Sequence, residues 1–231
     1  MTYFDSLEWE INGEGIAGHA KDSLLSEARR GGGLRGGDSP KIAVRLLELI
    51  VHDNQRLFGE ASIRIDALVI HGQRAGASST DIYAPRTFRF DRVKDGESLP
   101  IGQEGLLIFF GKPRYFLDLF ITVSRDREGS SSLHSILGDL AQSDEGMSAS
   151  GQLLAMASGA PDADLLGESL KAALLIGDAA LANLKKETNG TIGLYRNSWL
   201  RGKDEWGIGQ HPEVGLLRAK DISFRFEIIK E

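Results

Sequence analysis

Apolar and polar residues alternate along most of this chain, and the alternation is cleanest near its C-terminal end. Ile222, Phe224, Phe226 and Ile228 are separated by Ser223, Arg225 and Glu227, the period of two that sends successive side chains to opposite faces of a strand. The same period puts Tyr115, Leu117, Leu119, Ile121 and Val123 on one face of another strand. Phe116 and Phe120 make its second face partly apolar, so this strand is expected to be covered on both sides. Further strands are predicted at about 3–11, 41–51, 61–71, 86–93, 105–110 and 191–197, punctuated by Gly, Pro, Asn and Asp. Seven or eight strands with turns this close together predict a mainly β protein, an antiparallel β-sandwich.

Residues 131–187 change period. The stretches SLHSILGDLAQ, SASGQLLAMASG and DADLLGESLKAALLIGDAALANLKKE have helical spacing, with Ser132, Ser148 or Asp162 as N-caps and Asn189-Gly190 as a stop. In the longest helix Leu166, Leu170, Leu174, Leu181 and Leu184 form one stripe, and Leu165, Ala172, Ile176, Ala179 and Ala180 a second. A helix apolar on two sides is expected to be wedged between neighbours. The predicted organisation is a sandwich built from 1–127 and 190–231, with a helical insertion at 128–189 packed on it.

Charge sharpens this division. The chain of 231 residues has a formal net charge of −6, and residues 128–189 hold nine acids against three bases, so the remaining acids and bases cancel. Such a balance argues against general binding to a nucleic-acid backbone, which rests on clustered Lys and Arg. The Gly-Arg run at 26–40, SEARRGGGLRGGDSP, lacks the aromatic residues that stack on bases and reads as a loop. No stretch reaches the roughly 18 apolar residues of a spanning helix. There is no cysteine, which excludes disulfides, thiolate metal sites and cysteine nucleophiles and fits a reducing compartment. With the acidic start MTYFDSLEWEINGEG, this predicts a cytoplasmic protein, with docking to a membrane less favoured.

The stretch IVHDNQRLFGEASIRIDALVIHG, residues 50–72, reads as strand, acidic turn and returning strand. LLELIVHDN followed by FGEASIRIDAL resembles the late hairpin of C2 domains, over residues 42–70 only. The resemblance implies a C2-like sandwich, a calcium- or lipid-dependent membrane-docking activity and Ca2+ as cofactor. On this chain its ligands would be Asp53, Asn54 and Asp81, with Asp126 as a further carboxylate, although Gln55 stands where the family has its next Asp. Read from the residues alone, Asp53-Asn54 is equally an Asx turn bonding nearby backbone N–H groups.

Other chemistry finds little support. The five histidines, His19, His52, His71, His134 and His211, form no HExxH or HxH pattern, no serine sits in Gly-x-Ser-x-Gly, and no Walker-type loop occurs. A hydrolase with a carboxylate pair remains an alternative in which no pair is singled out, so no catalytic residue is assigned. The run 195–228 is more informative: Trp199 and Trp206 flank a polar stretch, and GIGQHPEVG follows. Because Trp and Arg are enriched in interface hot spots, Trp199, Trp206, Ile208 and His211 are the candidate binding residues, the indole rings either exposed for a partner or closing the edge of the core. The leading expectation is a non-enzymatic protein-interaction or adaptor module with a protein partner and no cofactor.

Overall fold

The computed structural model describes residues 39–71, 82–158 and 163–231. The strand predicted at 3–11, most of the Gly-Arg run and Asp81 lie outside them. The protein is mainly β, with two antiparallel sheets and a helical layer. In the first sheet β1 (Ile42–Val51) runs beside β10 (Ile222–Lys230). The short strands β4 (Glu97–Ser98) and β5 (Leu106–Gly111) pair along the other side of β1, and β8 (Gly209–His211) and β9 (Leu217–Ala219) along the far side of β10. The second sheet has the order β3 (Tyr83–Val93), β2 (Ala61–Ile70), β6 (Phe116–Arg125), β7 (Thr191–Leu200).

The alternating sets meet between the sheets. Ile63, Ile65, Ala67 and Val69 of β2 pack with Leu117, Leu119, Ile121 and Val123 of β6 and with Ile222, Phe224, Phe226 and Ile228 of β10. Full burial of each such side chain stabilises the fold by about 1.5–3 kcal/mol. In β1 the inward set changes phase, from Ile42, Val44 and Leu46 to Leu49 and Val51. A bulge in its pairing with β10, between Leu46 and Glu48, inserts the one extra residue that this requires.

Three helices follow β6: α1 (Leu133–Ala141), α2 (Asp144–Ser158) and α3 (Ala163–Glu187). Ser132 caps α1 as expected, its hydroxyl accepting from the Ser135 N–H at 3.2 Å. Ser148 does not start a helix, because α2 begins a turn earlier at Asp144, and Asp162 lies outside the described residues. The helices cover the outer face of the second sheet, where Leu68, Ile70, Phe116 and Phe120 meet Leu133, Ile136 and Leu137 of α1 and Leu170, Ile176, Ala180 and Leu184 of α3. This is why β6 is buried on both faces along nearly its whole length. Two ion pairs lie in the same interface. Arg64 meets Asp66 at 2.5 Å, and Arg196 meets Asp118 at 2.5 Å while donating to the Ala173 and Leu174 carbonyls of α3.

One expectation is overturned. The strands flanking 52–60 do not form a hairpin: β1 pairs with β10, β4 and β5, whereas β2 pairs with β3 and β6. The two strands belong to facing sheets, and the segment between them crosses the sandwich, a step of roughly 10 Å. Alternation specifies which face of a strand is buried but not which neighbour it bonds, and β1 and β2 satisfy the same pattern by lining one core from different sheets. The hairpin on which the C2 resemblance was based is therefore not formed.

Candidate functional site

The crossing segment 52–60 sits at one end of the sandwich, where it meets the end of β3, the end of β6 and the starts of β7 and β10. Its shape is fixed from inside. Asn54 is completely buried and donates to the Gly59 carbonyl at 3.0 Å and the Val93 carbonyl at 3.1 Å. Its own N–H donates to Asp95 at 2.7 Å, and its side-chain oxygen accepts from the Arg56 N–H at 2.9 Å. Gln55, at φ 58°, reaches sideways to the Thr191 carbonyl at 3.1 Å and to Asp221 at 3.3 Å. Arg125 then clamps the segment, donating to the carbonyls of Gln55 and Asn189 at 2.7 Å each. Gly59, at φ 88°, closes the turn in a conformation that glycine adopts without a Cβ clash.

What this frame holds outward is apolar. Leu57 is 93 % exposed and Phe58 91 %, side by side at the tip. Around them Glu60 pairs with Arg92 at 3.1 Å and Lys94 at 3.6 Å and Asp126 with Arg89 at 2.9 Å, while Arg56 and Arg125 donate to backbone carbonyls. Arg92 and Lys94 hold the Glu60 carboxyl below its ordinary range, the Arg92 hydrogen bond contributing most. Beside the tip a polar cleft of about 340 Å3 is lined by Arg56, Ser62, Arg125, Asp126 and Asn189. Two apolar side chains in a polar, charged rim have the layout of a binding anchor.

Of the expected metal ligands, Asp53 accepts from the Gln55 N–H at 2.6 Å and Asn54 is engaged as described, so both serve the turn. Asp126 accepts from Arg89, from the Ser130 hydroxyl at 2.7 Å and from the Arg127 N–H. Asp81 lies outside the described residues, among which no three His, Cys, Asp or Glu side chains are grouped closely enough to hold a metal ion. His52 and His71 are apart: His52 shares a 2.8 Å hydrogen bond with Ser223, and His71 is buried against the Phe109 ring.

The candidate binding residues fall elsewhere, and two of them face inward. Trp199 and Trp206 are 7 % and 6 % exposed and belong to the core between the sheets. Trp199 lies 5.1 Å from the His211 ring, which stacks on Phe226 at 4.8 Å and shares a 2.6 Å hydrogen bond with the Gly207 carbonyl. Ile208 is 40 % exposed, and of the two alternatives for the indole rings it is the closing of the core edge that the structure has. The indoles close the core edge because the chain turns tightly at Glu205 and Trp206, at φ 47° and 58°, which folds the second ring back inside.

The exposure of Leu57 and Phe58 is not legible in the sequence of the pair itself, because a short apolar pair in a turn reads as the onset of the next strand. The signal was present in their neighbours: Arg56 before them and Gly59 after them leave no period in which both could be buried. No model of a known protein family matches this chain, and no curated protein resembles it in sequence.

Proposed function

We infer that this protein is a non-enzymatic interaction module that docks on a partner protein through the 52–60 segment. The observation carrying this reading is the contrast between a rigid interior and an apolar tip. Asn54 and Arg125 hold the backbone, so Leu57 and Phe58 are presented with little conformational entropy left to lose on binding. Exposing two large apolar side chains is unfavourable in the free protein and becomes favourable when a pocket receives them. A protein surface fits better than an anionic bilayer, because Arg89, Arg92 and Lys94 are paired with Asp126 and Glu60 and the guanidinium groups of Arg56 and Arg125 are engaged by backbone carbonyls, whereas lipid docking favours bases free to meet headgroups. Calcium-dependent docking is disfavoured by the engagement of Asp53 and Asn54 in the turn. The absence of cysteine supports a cytoplasmic setting for the contact.

A photo-crosslinking residue placed at Phe58 in the full chain, expressed in the cells that make it, tests this. A discrete protein adduct is expected, competed away by the unmodified chain but not by a chain carrying Leu57→Ser and Phe58→Ser. Absence of any adduct, or sedimentation with phosphatidylserine-containing vesicles that is abolished by the same two substitutions, would overturn it.

A further inference from the structure

At a second place, in the helical layer, apolar surface is left uncovered. An open groove of about 630 Å3 runs between the start of α2 and the middle of α3, lined by Leu140, Ala149, Leu175, Ile176 and Ala179 with Asp144 and Asp178 among its walls. Leu175 is 60 % exposed and Met147, outside that lining, 53 %, while Ile176, beside Leu175 in α3, is buried in the interface with the sheet. Thus α3 carries an apolar position that its own fold does not use.

We propose that this groove receives a basic amphipathic helix of a partner protein. The groove is open along its length, which suits a continuous segment rather than an enclosed small molecule. Its floor includes the small residues Gly146, Ser148, Ala149 and Ala179, which let a helix backbone come close. The charge of the lining selects the sign of the partner, since among its described residues it holds Asp144 and Asp178 and no Lys or Arg. Near the groove Asp144 is exposed, and the Lys171 ammonium is tied to Glu168 at 2.6 Å. Asp178 is 3.7 Å from Arg196, so Asp144 is the carboxylate most available to an incoming Lys or Arg. This surface is separate from the 52–60 segment in sequence and residues, and it stands or falls independently of the reading above.

The test uses the full chain and two fluorescein-labelled helical peptides of equal length, one of Leu and Lys with an amphipathic repeat and one with Glu in place of Lys. Fluorescence anisotropy is expected to show binding of the Lys peptide only, weakened about tenfold by Leu175→Ser through lost apolar contact and little changed by Met147→Ser, outside the lining. Asp144→Lys should weaken it further, and added salt should weaken it in proportion to charge screening. Both apolar positions are more than half exposed, so their substitution leaves the fold intact, which circular dichroism verifies. Equal binding of the two peptides, or affinity unchanged by Leu175→Ser, would overturn the proposal. So would a concentration-dependent dimer in sedimentation that Leu175→Ser dissociates, because the groove would then belong to a second copy of this chain, or binding of a fatty-acid probe lost with the same substitution.

Discussion

Arg64 and Asp66 stand two residues apart on β2 and point to the same covered face, where the guanidinium donates Nε to Oδ2 at 2.5 Å and Nη2 to Oδ1 at 2.8 Å. Both are fully buried under the helical layer. Thr87 of the adjacent strand donates to the same carboxylate at 2.6 Å, and Ser130, just before α1, accepts from the guanidinium at 2.9 Å. Burial pushes the Asp66 carboxyl above its ordinary range, against the pull of Arg64 and Thr87. The pair therefore ties the second sheet to the entry of the helical layer.

Removing one member should cost far more than removing both. Asp66→Ala leaves an uncompensated guanidinium in the interface and is expected to lower stability by about 3–5 kcal/mol, whereas Arg64→Met with Asp66→Leu should recover most of that loss. Urea denaturation of the three proteins decides it. A single substitution costing under about 1 kcal/mol would mean that water reaches the site.

Gly177 makes an opposite prediction to helix propensity. In a helix interior, Gly→Ala ordinarily stabilises by about 1 kcal/mol. Here an added Cβ would lie 2.7 Å from Nη1 of Arg196, whose guanidinium cannot swing away without leaving Asp118. Gly177→Ala should therefore destabilise, by about 1–2 kcal/mol. A rise in melting temperature would show that the arginine yields at no cost.

The 52–60 segment separates stability from binding. Asn54→Ala deletes buried hydrogen bonds and is expected to cost about 1–3 kcal/mol and to speed tryptic cleavage at Arg56. Phe58→Ser, at a side chain in water, should change stability by less than about 0.5 kcal/mol. Equal protease resistance in the Asn54→Ala and unsubstituted chains would remove the case for a pre-organised tip.

His71 gives the fold a pH dependence. Burial depresses its imidazole to about 4, below the ordinary value of 6.5. The native state thus binds the proton less readily than the unfolded chain, and the neutral ring contributes fully above about pH 6.5 and progressively less as the pH falls from there through about 4. The shift corresponds to about 3 kcal/mol. Stability measured between pH 7 and pH 4 should fall less steeply in His71→Phe. Parallel curves for the two proteins would place the acid sensitivity elsewhere.

The alternation of 61–70, 116–125 and 222–230 was sufficient to define the strands and the face each turns to the core between the sheets, but not the burial of Arg64 and Asp66 on the other face of 61–70, because a strand's side chains sort by period two whatever partner it finds. The two apolar sides of 163–187 likewise announced a helix packed among neighbours. What the alternation did not contain is pairing. Leu46 opposite Phe226, and β2 placed in the other sheet rather than bonded to β1, are chosen by which surfaces fit across the whole sandwich. The candidate site depended on the same choice: Trp199 and Trp206 went inside because the tight turn at 205–206 directed them there, and Leu57 and Phe58 stayed outside because the crossing between sheets left them no surface to cover. Composition and period act locally along the chain and so could be read from it, whereas exposure at a turn is a property of three-dimensional packing.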